Sequence, residues 1–116
     1  LMCRMFQATG ERSYLAYAGR FFEWCLRCHD DRFAFTGSGK SALGAAQYYL
    51  LTGEKRARAA AMQFGDFLLE TQLPDASWRN PSWPPEVLYA IDASAEFTVW
   101  LGEIASLIPG ADVVWG

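Results

Sequence analysis

Charged and polar residues form a stripe along one side of two segments of this chain, and the two segments that follow them lack it. Between residues 11 and 28, Leu15, Ala18, Phe22 and Leu26 recur at helical spacing while Arg20, Glu23 and Arg27 share another side, which predicts an amphipathic helix over 11–28. The stretch 39–52 carries no charge after Lys40. Its Ala42, Gly44, Ala45 and Ala46 allow neighbours to approach closely, and Tyr48, Tyr49, Leu50 and Leu51 offer area to bury, so a second helix is expected inside the fold, with Ser38 as its N-cap. Gly53 marks a tight turn, and 54–71 reads as a third helix, amphipathic like the first. Pro74, Pro81, Pro84 and Pro85 then interrupt the helical pattern, so Gln72 to Ile91 forms a long connection of the kind that is often functional. A fourth helix, apolar like the second, is expected over 92–107 with Asp92 as its cap.

The pattern is periodic on a longer scale. Thr9-Gly10-Glu11-Arg12 returns as Thr52-Gly53-Glu54-Lys55, 43 residues later. Across that offset Ala16 meets Ala59, Ala18 meets Ala61, Phe21 meets Phe64 and Leu26 meets Leu69, while the polar stripe Arg20, Glu23, Arg27 meets Gln63, Asp66, Glu70. Ser41-Ala42 returns as Ser94-Ala95 after 53 residues, because the connecting loop has grown by ten. One helical hairpin cannot cover its own apolar face and stacks on its neighbours, so such a unit predicts an all-α fold of antiparallel helical hairpins. Hairpin 1 spans about 11–52 and hairpin 2 about 54–107, in a single domain or a fragment of a longer ring or solenoid. Leu1 to Ala8 maps onto Gly44 to Leu51, the tail of a preceding inner helix, and a third unit reads as beginning at Ala111. The outer helices should hold Arg20, Glu23, Arg27, Gln63, Asp66 and Glu70 in solvent, and the inner one should bury Ala42, Ala45, Ala46 and Tyr49. Uncapped apolar flanks should favour self-association or additional toroid repeats.

A chain of 116 residues is one domain at most. Its 16% aromatic content against 20% charged leaves many rings to be hidden or used as a binding surface. A net charge of −3 gives no electrostatic case for nucleic acid or an anionic membrane. The apolar stretches stop well short of the about eighteen residues a membrane span needs. The first residues lack the pattern of a secretory signal, and three cysteines do not make a disulfide framework, so a cytoplasmic setting is expected.

Two short motifs suggest chemistry that their context does not support. Cys25-Leu26-Arg27-Cys28-His29 has the spacing of c-type haem attachment, yet Cys25 corresponds to Leu68 in the repeat and packing accounts for it. Zinc lacks a second ligand pair. Ala34 to Ser41 resembles a relaxed phosphate loop with Ala34 for its first glycine, and Val87 to Asp92 could supply the acidic strand. Asp30-Asp31-Arg32 precedes it, where a phosphate loop follows an apolar strand. A glycine-rich turn that caps the inner helix is the alternative. No cofactor is implied.

Phe67-Leu68, Gln72 and Ala76-Ser77-Trp78 resemble the QW repeat of the terpenoid cyclase and protein prenyltransferase superfamily. There an aromatic-Leu pair, a Gln and a Gly-x-Trp end an outer helix and staple it to the next. The resemblance covers both hairpins and implies an α/α toroid, with Gln72 bonding backbone and Trp78 stacking on the helix. Ala76 stands where that motif has glycine, which alters the turn. The DxDD acid of the squalene and hopene cyclases and the zinc ligands of the prenyltransferases have no counterpart here.

Asp92 and Glu96 lie four apart at the start of the fourth helix and share a face, which in a toroid opens onto the central cavity. Raised in pKa by burial, such a carboxylate protonates an alkene or a glycosidic oxygen; unburied, the pair simply favours a helix N-terminus. Trp83, Tyr89, Lys40 and Ser41 are the candidate substrate-binding neighbours. The leading expectation is a terpenoid cyclase-like protein holding an apolar, isoprenoid-like substrate in a cavity lined by inner helices, where aromatic faces stabilise a developing carbocation. The alternatives are a carbohydrate-active toroid using Asp92 and Glu96 as acid and base, or a non-catalytic helical scaffold.

Overall fold

The computed structural model describes residues 1–28, 33–78, 84 and 91–108, with the backbone alone for Ile91 and Asp92. Its elements are α1 (Met2–Thr9), α2 (Arg12–Cys28), a 3-10 turn at Thr36–Ser38, α3 (Gly39–Thr52), α4 (Lys55–Thr71) and α5 (Ile91–Leu107). The helices expected over 11–28, 39–52, 54–71 and 92–107 begin and end within a residue of these bounds. Among the described residues there is no strand, and the one β pairing is an isolated bridge between Gln72 and Trp78. The fold is all-α. Among the described residues no helix is long and apolar enough to cross a membrane.

The sequence repeat is a repeat of backbone structure. Helices α2 and α4 are both 17 residues long and occupy the same register of the repeat. Each is entered through the same turn: Gly10 and Gly53 both sit at φ 73°, and their amides donate to the carbonyls of Phe6 and Tyr49 at 2.7 Å. Left-handed backbone is strained for a residue with a Cβ, which is why glycine ends the preceding helix in both places. The Thr9 and Thr52 hydroxyls donate one turn back, to the carbonyls of Met5 and Tyr48, and accept from the amides of Glu11 and Glu54. At the far end, the Cys28 thiol donates to the Trp24 carbonyl where the Thr71 hydroxyl donates to that of Phe67.

Helix α3 touches every other helix, lying against α1 and α5 as well as α2 and α4. Its Ala42, Ala45 and Ala46 are buried, as are Ala57, Ala60 and Ala61 of α4, so small side chains let these two helices approach closely. Phe22, Phe33, Phe64, Leu68, Trp78, Phe97, Leu101, Ile104 and Ile108 pack in the core around them. Arg20, Arg27, Gln63, Asp66 and Glu70 are exposed; Glu23 is half-buried, as is Tyr49. The Arg56 guanidinium reaches from α4 to Glu23 on α2 and ties the two polar stripes together at the surface.

Capping differs from the expectation in three places. Ser38 precedes α3 but its side chain makes no cap bond, because the 3-10 turn leaves Ser38 with near-helical backbone, φ −84° and ψ −2°, rather than the extended geometry an N-cap needs. Glu54, expected inside the third helix, is instead its N-cap, with extended backbone and a carboxylate that accepts from the Arg56 amide at 3.1 Å. Helix α5 begins at Ile91, so Asp92 falls in its first turn rather than at its cap; the Asp92 side chain lies outside the described residues.

The segment after α4 folds back on the helix. The Trp78 indole is buried and donates from Nε1 to the Leu68 carbonyl at 2.8 Å, while its ring meets Phe97 of α5 edge-on at 5.4 Å. Gln72 donates from Nε2 to the Ala76 carbonyl at 3.3 Å, and the Leu73 amide donates to Ser77. Ala76 holds φ 65°, left-handed backbone at a residue that carries a Cβ. Trp78 thus fastens the end of α4 to α5.

Candidate functional site

Two recesses flank the first turn of α3, and Lys40 borders both. The first, about 310 Å³, lies where the starts of α3 and α5 come together. Gly39 makes this approach possible, since a Cβ there would collide with the Trp100 ring. Trp100 is held by Phe64 at 6.1 Å and by Phe97 at 5.7 Å between ring centroids. Phe35, from the turn before α3, forms the outer wall and is half in solvent. Lys40 and Glu96 line this recess with opposite charges but form no ion pair with each other. Glu96 is exposed, and it is the one acidic residue among the described residues that line the recess.

The second recess, about 220 Å³, lies between α1, α2 and α3. Ser41 belongs here, beside Cys25, Phe22 and Cys3. Burial pushes the Cys25 thiol up from its usual range, and a hydrogen bond with the Ser41 side chain opposes that shift without cancelling it. Cys3 is raised too, chiefly by burial. Cys28, the other thiol of the haem-like motif, is exposed. Among the described residues no group of three or more His, Cys, Asp or Glu could hold a metal ion; His29 lies outside them.

Of the residues singled out in the sequence, Lys40 and Glu96 share a recess, and Lys40 and Ser41 share the other. Ser41 and Glu96 are not brought together: adjacent residues on a helix point about 100° apart, and Ser41 follows Lys40 onto the next face. Asp92 precedes Glu96 by one turn of α5. Trp83 and Tyr89 lie outside the described residues. Sequence reasoning missed Phe35 and Phe97 as lining residues. Phe35 is embedded in the glycine-rich loop, and an aromatic inside such a loop is the signal that marks it.

What this geometry offers is an aromatic wall with one cation and one anion at its rim. Rings stabilise apolar or cationic ligands through their faces, and a paired-carboxylate reaction needs a second acid across the recess. Thr36–Ser38 is a 3-10 turn that runs straight into α3, and the described residues just before it, 33–35, form no strand, which is not the setting of a phosphate loop. No family model, no curated protein and no solved structure matches the chain.

Proposed function

We propose that the chain is a pair of repeats of an α/α toroid of the terpenoid cyclase kind, and that it holds an apolar, isoprenoid-like molecule in the recess between the starts of α3 and α5. The observation that carries this reading is the wall of Phe35, Phe97 and Trp100 around about 310 Å³ of space. Three features support the toroid: the duplicated turn at Gly10 and Gly53, the Trp78 staple, and the contact of α3 with both α1 and α5. The role is binding first. With Glu96 as its one described acid, the recess fits an aromatic cradle better than a glycosidase pair.

Titration of the chain with farnesol, followed by tryptophan fluorescence, tests the reading. Saturable quenching is expected, weakened at least about tenfold, or 1.4 kcal/mol, in Phe35→Ala. Phe35 is half-exposed, so its removal leaves the core intact. Farnesol binding that is absent, or indifferent to Phe35→Ala, would refute it.

A further inference from the structure

We infer that the other recess, between α1, α2 and α3, is a binding site for a flat aromatic carboxylate. The two repeat units correspond residue by residue but fill their interiors differently. Residues of α2 correspond to those of α4 at an offset of 43, and residues of α3 to those of α5 at an offset of 53. The packing respects this register: Tyr48 lies against Phe22 with ring centroids 5.9 Å apart, and their counterparts Leu101 and Gly65 also adjoin, Leu101 Cδ2 lying 3.9 Å from where a Cβ on Gly65 would sit.

In the second unit the interior beside Phe64 is filled by two rings, Phe97 and Trp100. In the first unit the same seats hold Gly44 and Gln47, and the seat of Phe64 holds Phe21. The consequences are measurable. A Cβ on Gly44 would meet nothing within 4 Å. Phe64 is fully buried, whereas Phe21 is 54% exposed. The space left is the recess of about 220 Å³, lined by Gly44, Gln47, Phe21, Phe22 and Ala18. The chain therefore states what shape fits here, because its own second unit puts aromatic rings in the corresponding place. An apolar cavity of about 150 Å³ is enough to take up a single benzene ring, and a buried ring removes about 150–250 Å² from water.

The polar end of the ligand follows from the same comparison. Where the second unit has Ala93, the first has Lys40, at the lip of the recess and in no ion pair among the described residues. Ser41 and Gln47 also line the recess, with a hydroxyl and an amide. A carboxylate at this lip gains a charge-assisted bond to the ammonium while the ring enters the space beside Gly44. This site does not depend on the isoprenoid reading, which concerns the recess on the opposite side of α3.

Calorimetric titration of the full chain with naphthoate tests the inference. Saturable binding with a Kd at or below about 1 mM is expected. Gly44→Phe and Gln47→Trp, which refill the space as the second unit does, should each weaken it at least about tenfold while leaving farnesol binding unchanged; if Gly44→Phe fails to fold, Gln47→Trp carries the test. Lys40→Met should remove the preference for naphthoate over the neutral naphthalenemethanol. Absent binding, binding indifferent to the refilling variant, or decanoate binding as tightly as naphthoate would each overturn it. An isoprenoid that still binds after naphthoate binding is lost separates this failure from that of the other recess.

Discussion

Among the described residues, Ala76 is the one residue with a side chain that holds left-handed backbone. The turn from Leu73 to Ala76 is closed by the Ala76 amide on the Leu73 carbonyl at 2.9 Å, with Pro74 in its second seat, and Ala76 follows at φ 65°. The left-handed conformation costs a residue with a Cβ about 1–2 kcal/mol, a strain glycine does not carry. Glycine in turn loses more backbone entropy on folding, an opposing effect of about 0.4–1 kcal/mol. Ala76 is exposed, so removing its methyl group opens no cavity, and both of its hydrogen bonds, from its amide and to its carbonyl, are backbone ones that glycine retains. Ala76→Gly should therefore stabilise the chain by about 0.5–1 kcal/mol.

For a chain of this length that is a rise in Tm of about 2–5 °C. Urea unfolding should show the same change in midpoint with an unaltered slope. Ala76→Val is the control of opposite sign: a β-branched residue tolerates positive φ less well than alanine and should lower stability by about 1 kcal/mol. A glycine variant no more stable than the parent would refute the claim that this residue is held under strain.

Other consequences follow from the same packing. Trp78→Phe removes the Nε1–H that meets the Leu68 carbonyl in the core and should cost about 1–3 kcal/mol in urea unfolding, and Trp78→Ala more than that. The Arg56 side chain and amide, by hydrogen bonding, hold the Glu54 carboxyl below its ordinary 4.5. A depressed carboxyl stabilises the fold above its unfolded value, and that contribution is lost as pH falls through the folded one, so Glu54→Gln should flatten the fall in Tm below about pH 4.5. With a thiol-reactive disulfide at neutral pH, Cys28 should react fast and Cys3 and Cys25 only as the chain opens, because those two are buried and raised in pKa; three equally fast thiols would contradict the packing of α1 and α2.

Helix positions were legible because apolar spacing and turn chemistry are local. The polar stripe Arg20, Glu23, Arg27 against the uncharged run after Lys40 is enough to set which helix faces water. Capping was not legible to the same degree. Whether Ser38 or Glu54 caps a helix depends on the backbone that precedes it, and the 3-10 turn that disqualifies Ser38 is invisible in a run of Thr, Gly and Ser. The site was half legible. Lys40 and Glu96 could be placed at two helix starts, but that Gly39 lets Trp100 close the gap between them, or that Ser41 turns to Cys25 instead, follows from how α3 and α5 pack, which no single-helix pattern contains.

The two units keep the residues that set the backbone and change those that fill the interior. Thr, Gly and Glu recur at both turns, where the Thr hydroxyl and the Gly and Glu amides make the same hydrogen bonds, while Phe97 and Trp100 give way to Gly44 and Gln47. Emptying a seat removes an aromatic ring without disturbing a single turn bond, so the units can share a fold and differ in stability. Helix α4 has Phe64 and Leu68 fully buried, and each such side chain contributes about 1.5–3 kcal/mol. In α2 the corresponding Phe21 is half in water and Cys25 is a smaller residue than leucine. Local opening of α2 should therefore be easier than that of α4, and native-state hydrogen exchange should show α2 amides about 10- to 100-fold less protected. Naphthoate should narrow that gap by supplying the missing rings and leave the α4 amides unchanged. Equal protection of the two helices in the unliganded chain would mean that the recess beside Gly44 is closed in solution, and the site argued from it would fall with it.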